Sequence, residues 1–201
     1  MFSLFYGLWK YIFKRDEFYV LILGLDNAGK TTFLEQTKIK FNRNYKGVNL
    51  NKITTTVGLN IGKIEYKGIV MNFWDLGGQH ELQSLWDKYY AESHGIIFII
   101  DSADIERIEE SKAAFENMIT NEHLVGIPLL IVANKQDIPE ALSLDRIKSI
   151  FKSSASQIGK RDIHSISVSA LNSQGITESI DWMTNCIKRN VPTRPPNNAE
   201  D

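Results

Sequence analysis

The sequence predicts an α/β domain of the phosphate-loop class, a mostly parallel six-stranded sheet with helices on both faces. Three observations carry that expectation. The apolar run 18–23 leads directly into Gly24-Leu25-Asp26-Asn27-Ala28-Gly29-Lys30-Thr31, a G-x-x-x-x-G-K-[ST] loop that opens a helical pattern. Two further short runs, GIIFII at 95–100 and IPLLIVA at 127–133, are continuously apolar, as strands covered on both faces must be. Helical patterns at 106–120, 144–151 and 176–189 alternate with such runs, which favours crossover connections and a parallel sheet.

Each element follows in order. Residues 1–13, MFSLFYGLWKYIF, place Phe2, Phe5, Trp9, Ile12 and Phe13 along one side of a helix, with Lys10 and Lys14 nearby. The run is shorter than the roughly 17 to 25 residues that cross a bilayer. It also lacks the basic start and small-residue cleavage site of a secretory signal. Residues 1–15 therefore read as an amphipathic segment that packs on the domain, lies against anionic headgroups, or does each in a different state. Residues 16–190 read as one nucleotide-binding domain. After the phosphate loop the helical pattern continues to residue 40, and a polar, asparagine-rich stretch covers 41–52. Two β-like runs, 59–66 and 69–74, are joined by Lys67-Gly68, the signature of a hairpin. A last strand is expected over 163–169. Beyond Asn190 the chain reads VPTRPPNNAED, proline-rich and polar, so 191–201 is expected to be a disordered tail.

Composition narrows the function. A chain of 201 residues suits a single domain, and a net charge of −1 gives no global basic field, which argues against nucleic acid as a partner. The single cysteine, Cys186, rules out an internal disulfide and reads as a buried residue of the last helix. His80, His94, His123 and His164 show no metal-ligand spacing.

The chemistry lies in loops that follow strands. Glycines at 24 and 29 let the backbone turn so that successive N–H groups of Leu25, Asp26, Asn27 and Ala28 converge on nucleotide phosphates, aided by the helix N-terminus at Thr32. Lys30 is placed to reach the β- and γ-phosphates, and the Thr31 hydroxyl to ligate Mg²⁺. Asn134-Lys135-Gln136-Asp137 follows the 127–133 run. A carboxylate there accepts from guanine N1–H and N2–H₂, donors that adenine lacks, which separates GTP from ATP. Asn134 is expected to tie this loop to the phosphate loop, with the Lys135 stem along the base. Ser169-Ala170-Leu171 offers the Ala170 N–H to guanine O6. Asp75 is expected in the second shell of the Mg²⁺ and Thr56 in its first. Gly78 lets a backbone N–H sense the γ-phosphate, and Gln79 orients the attacking water.

Taken together, GLDNAGKTT, TTVGLN, WDLGGQ, LWDKYY and NKQD resemble small GTPases of the Arf family rather than Ras, Rab or Rho proteins, from Met1 to about Arg189. The resemblance is strongest to a branch associated with the trans-Golgi. It implies a GTP/GDP switch that recruits effectors to Golgi membranes and regulates vesicle trafficking, cytosolic when GDP is bound. It also implies an exchange factor, an activating protein, effectors, and an integral Golgi membrane receptor or the membrane itself meeting residues 1–15; a monomer is expected. Phe2 stands where Arf proteins proper carry a myristoylated glycine, and the resemblance implies an acetylated Met1 instead. Leu59 replaces the usual phenylalanine of an aromatic triad with Trp74 and Tyr89. The arginine that some G proteins carry three residues before the switch threonine is Ile53 here, so hydrolysis is expected to be slow until an activating protein supplies one. Two rival readings are a GTP-holding scaffold with negligible turnover and an ATP-using phosphate-loop kinase. The presence of Gln79 and Thr56 speaks against the first, and Asp137 with Ala170 against the second.

Overall fold

The computed structural model describes residues 15–197; the expectations for the amphipathic segment fall almost wholly outside them. Six strands, β1 (Glu17–Leu23), β2 (Leu59–Tyr66), β3 (Ile69–Leu76), β4 (Gly95–Asp101), β5 (Leu129–Asn134) and β6 (Ile163–Ser167), form one sheet in the order β2-β3-β1-β4-β5-β6. Only the β2–β3 pair is antiparallel. The longer helices are α1 (Lys30–Phe41), α4 (Ile108–Ile119), α5 (Leu144–Phe151) and α7 (Ile176–Asn190); α2 (His80–Gln83), α3 (Asp87–Tyr90) and α6 (Ala155–Ile158) are single turns. The expected hairpin forms with Lys67 and Gly68 both at positive φ, the geometry that matches the twist of the strands it joins.

Strand periodicity decides which helix covers which face. Side chains alternate across a sheet, so Leu21, Leu23, Ile96, Phe98, Ile100, Leu129 and Ile131 enter one core with Phe115 and Met118 of α4 and Ile147 of α5. Their neighbours Val20, Ile22, Ile97, Ile99, Leu130 and Val132 enter a second core with Phe33 and Leu34 of α1 and Ile180 and Met183 of α7. The central strands are therefore apolar at every position. The edge strand β2 carries Lys63 and Glu65 exposed beside buried Ile64, so charge protects the open edge. Cys186 is fully buried, as expected. Among the described residues no helix is long and apolar enough to cross a membrane.

The expected disorder beyond Asn190 does not extend to residues 191–197. Arg194 donates to the carbonyls of Ser93 (2.9 Å), Tyr90 (3.1 Å) and Ala91 (2.5 Å), and the Asn197 amide donates to the Glu17 carbonyl at 3.2 Å. Composition misled here because one guanidinium satisfying three carbonyls offsets the ordering of a short polar strap.

His94, itself buried, completes the strap: its Nδ1 accepts the Tyr19 amide at 3.1 Å and its Nε2 meets the Pro195 carbonyl at 2.8 Å. With Nδ1 as an acceptor, the ring is neutral and donates from Nε2. Burial pulls the His94 pKa below the usual imidazole value, against the Pro195 carbonyl that favours the proton; the Arg194 charge adds to the lowering. The unfolded chain therefore binds a proton near pH 6.5 that the folded chain refuses. Stability is accordingly expected to fall as the pH drops below 6.5. Urea unfolding at neutral and mildly acidic pH should show this slope in the wild type and a shallower one in His94→Gln.

Candidate functional site

Four of the loops expected to carry chemistry leave the carboxyl ends of strands, the edge at which open α/β sheets bind ligands, while Thr56 lies in the connection from α1 to β2. Residues 24–29 leave β1, residues 77–79 leave β3, residues 135–137 leave β5, and residues 168–171 follow β6. The sequence forces the first of these into its shape. Gly24 has φ +135°, and a Cβ there would overlap the Ile99 carbonyl oxygen of the neighbouring strand. Helix α1 then begins behind Gly29 with no side-chain cap and no acidic residue in its first turn. Its first N–H groups and dipole are left for an anion.

Lys30 is buried, and its Nζ donates to the Leu25 carbonyl at 2.7 Å, closing the loop on itself. Burial pulls the Lys30 ammonium down to about 8, opposed by the charges of Asp75 and Asp26 and assisted by Arg107. A phosphate in the loop reverses that penalty by supplying the opposite charge.

Beside it, three residues from three segments converge. The Thr31 hydroxyl donates to Asp75 Oδ2 at 2.7 Å, and the Thr31 and Thr56 hydroxyl oxygens lie 2.8 Å apart. Asn60 donates to the same Oδ2 at 3.2 Å. Asp75 is completely buried, its Oδ1 has no hydrogen-bond partner among the described residues, and burial raises its pKa against the Thr31 hydrogen bond and the Lys30 charge. Two hydroxyls over a buried, half-satisfied carboxylate are a hard-oxygen set suited to Mg²⁺, which keeps waters and takes phosphate oxygens for its remaining positions. The set needs no cluster of histidine, cysteine or further carboxylates, and none is present among the described residues.

Gly78 packs against the phosphate loop so closely that a Cβ would overlap the Gly24 carbonyl oxygen and the Leu25–Asp26 peptide. Its own carbonyl accepts from Gln83 Nε2 at 3.1 Å, and the Gly77 carbonyl accepts from Trp86 Nε1 at 2.9 Å. The two helical turns after Gln79 thereby hold this backbone in place. Gln79 is half-buried at the start of α2, where its carbonyl accepts the Leu82 and Gln83 amides. Downstream, Trp74 and Tyr89 meet edge to face with ring centroids 5.2 Å apart, while Leu59 and Ile61 are exposed on β2.

At the other end of the cleft, Asn134 is buried and joins the loops as anticipated. It donates to the Ala28 carbonyl at 2.8 Å and accepts the Ala170 amide at 3.0 Å. Asp137 is exposed, with Oδ1 accepting the Ser169 hydroxyl at 2.5 Å, and Ser169 in turn accepts the Asn172 amide. Lys135 takes a positive φ and pairs with Asp101 at 2.5 Å.

Sequence reasoning missed three participants: Asn60 on Asp75, Asp101 on Lys135, and Arg107, which donates to Asp26 Oδ1 at 2.7 Å. An acidic residue inside a phosphate loop does signal that a cation should stand near it. Nothing local indicates which.

Comparison with known proteins agrees with this geometry. The family described as the ADP-ribosylation factor family matches residues 5–187. The chain is 60% identical to ADP-ribosylation factor-related protein 1 of Bos taurus over 196 residues, covering 98% of this chain and 97% of that protein. It is 58% identical to the Homo sapiens protein of the same name, with the same coverage. It is also 42% identical to ADP-ribosylation factor-like protein 3 of Saccharomyces cerevisiae, covering 98% of each chain. Among solved structures, the Arl6 BBS3 small GTPase of Trypanosoma brucei with bound nucleotide analogue GppNp superposes with a TM-score of 0.74 at 28% identity, covering 86% of this chain and 98% of that one. Matched over 98% of its length by such relatives, and folded with its phosphate and base loops along one sheet edge, the chain belongs to the ADP-ribosylation factor family of small GTPases.

Proposed function

We propose that this GTPase is a nucleotide-controlled switch that recruits effectors to the cytosolic face of Golgi and trans-Golgi membranes and so regulates vesicle trafficking. The observation that carries the switch is the meeting of Thr31 with Asp75 at 2.7 Å and with Thr56 at 2.8 Å, with Gly78 packed on the phosphate loop. Both segments able to sense a γ-phosphate, around Thr56 and around Gly78, stand at the same end of the cleft as Lys30. Loss of that phosphate removes their shared partner and frees them to move.

The residues divide the work. Backbone amides of residues 25–29 and the Lys30 ammonium hold the phosphates, Thr31 and Thr56 hold Mg²⁺, and Asp75 orients both hydroxyls. The ion these hydroxyls would hold would supply positive charge to offset that of the phosphates. Asp137 and the Ala170 amide select guanine, and Gln79 positions the water. Asn134→Ala deletes two buried hydrogen bonds that join the base loops to the phosphate loop. Release of labelled GDP is expected to quicken by about 30-fold in that variant, two bonds at roughly 1 kcal/mol each, as read by stopped-flow fluorescence.

Golgi targeting rests on the resemblance of ITTTVGLN, LGGQ-x-ELQSLWDKYYAE and the bulky Phe2 to the trans-Golgi branch. In the GDP state the amphipathic segment rests on the domain and the protein is cytosolic. With GTP, the segment is released to the membrane or to an integral Golgi receptor, and each large apolar side chain that moves contributes roughly 1.5 to 3 kcal/mol. An exchange factor loads the monomer and an activating protein unloads it. Flotation with anionic vesicles, comparing GDP with a non-hydrolysable GTP analogue, tests the coupling, and equal binding in both states would refute it. Fractionation of cells carrying the full chain or a chain lacking residues 1–13 tests the location, with the Golgi fraction expected to keep only the former.

A further inference from the structure

The phosphate loop contains a carboxylate where the ligand is a polyanion. Asp26 lines the cleft together with Lys30, Thr31, Thr56 and Gly78, the phosphate end rather than the base end. Both of its oxygens are engaged: Oδ1 accepts Arg107 Nη2 at 2.7 Å, and Oδ2 accepts Asn27 Nδ2 at 3.2 Å. Arg107 lies 81 residues away, in the loop between β4 and α4. It is itself held by Glu110, which accepts Nε at 2.8 Å and Nη2 at 3.0 Å. The guanidinium is thus fixed to the scaffold by one carboxylate and presented to the loop carboxylate by the same fork. With side chains only 33% and 22% exposed, Arg107 and Asp26 are partly shielded from solvent, so their charges are felt more strongly than those of a surface pair.

We propose that Arg107 is a positioning residue for the terminal phosphate: it cancels the charge of Asp26 and holds that carboxylate in place, so that an acidic phosphate loop accepts a nucleoside triphosphate. A GTP ligand brings further negative charge to the end of the cleft that Asp26 lines, whereas GDP does not. Arg107 therefore favours GTP over GDP and helps to set how long the triphosphate state persists. This inference rests on residues 24–32 being the phosphate loop and goes beyond it in assigning Arg107 a part in nucleotide preference.

The test uses the full chain at saturating Mg²⁺, with dissociation rates of fluorescent GDP and of a fluorescent non-hydrolysable GTP analogue. Arg107→Met is expected to speed release of the GTP analogue about tenfold and release of GDP about twofold. Asp26→Asn/Arg107→Met is expected to return the GTP-to-GDP ratio to that of Asp26→Asn alone, because the charge needing compensation is gone. Arg107→Lys should keep most of the preference. Glu110→Gln keeps an amide oxygen that can accept from the guanidinium and leaves the Asp26 pair in place, so the ratio should stay within about twofold of wild type. Equal acceleration for both nucleotides, a loss that persists in the double variant, or a Glu110→Gln phenotype matching Arg107→Met would each overturn the proposal. Those results would make the arginine a scaffold brace instead. Failure of the wild-type chain to take up either nucleotide would overturn the phosphate-loop reading, and this inference with it.

Discussion

Asp137→Asn is expected to lower guanine-nucleotide affinity by about 10⁴-fold without gaining any for adenine nucleotides, the scale on which a site built around polar groups rejects a mismatched partner. The geometry explains why so small a change does so much. Ser169 donates to Asp137 Oδ1 at 2.5 Å, so one oxygen of the carboxylate is committed and the proposed function assigns the other to the base. Asparagine can keep an oxygen toward Ser169 only by turning its NH₂ toward the base, setting donor against the N1–H and N2–H₂ donors of guanine. Adenine presents its own mismatch and is not rescued. Equilibrium titration with labelled GDP and ADP measures both limbs. A loss smaller than tenfold would remove Asp137 as the discriminator of purines.

Gln79→Leu is expected to leave nucleotide binding within about twofold of wild type while cutting activator-stimulated hydrolysis by about 10³-fold, because the water loses its orienting amide and the trans arginine then has a poorly aligned attack to assist. As an Arf-family GTPase the chain turns over slowly by itself and depends on an activating protein, so the deficit shows in the stimulated rate. The backbone at Gln79 is fixed by the start of α2, where its carbonyl takes the Leu82 amide at 2.9 Å and the Gln83 amide at 3.1 Å. Its side chain makes no hydrogen bond among the described residues, which leaves the amide free to turn toward a water beside Gly78. Leucine of similar length preserves the helix start, so a change in rate reports chemistry rather than folding. Single-turnover phosphate release with an Arf-family activating domain supplies the number, and undiminished release would take Gln79 out of the mechanism.

Much of this was legible in the linear chain because it depends on local pattern. Continuous apolarity at β4 and β5 specifies strands covered on both faces, and the alternation of strand with helix specifies parallel crossovers. The phosphate loop, the N-K-x-D turn, Asp75 and Gly78 are legible for the same reason, each a residue type at the end of a strand whose position the pattern already gives, while Thr56 is read from its spacing before Asp75. Element ends moved by a residue or two, as at β5, which starts at Leu129 rather than at 127 because Pro128 has no amide to donate to the ladder.

The supports of the site were not legible, since a contact between distant residues depends on register and packing that no short window contains. Arg107 reaches Asp26 because β1 and β4 are hydrogen-bonded neighbours, which brings the loops at their carboxyl ends side by side. Asn60 reaches Asp75 because antiparallel register sets the two residues opposite each other. The strap at Arg194 and Pro195 reads as disordered by composition and is held by the Ser93 and Tyr90 carbonyls and the His94 ring, about 100 residues earlier. The sequence by itself determined the sheet, the two cores and the ligand-facing residues, through periodicity and strand-end motifs. Only the tertiary structure decided which charges neutralise which, because electrostatic pairing follows distance in space and the chain order does not record it.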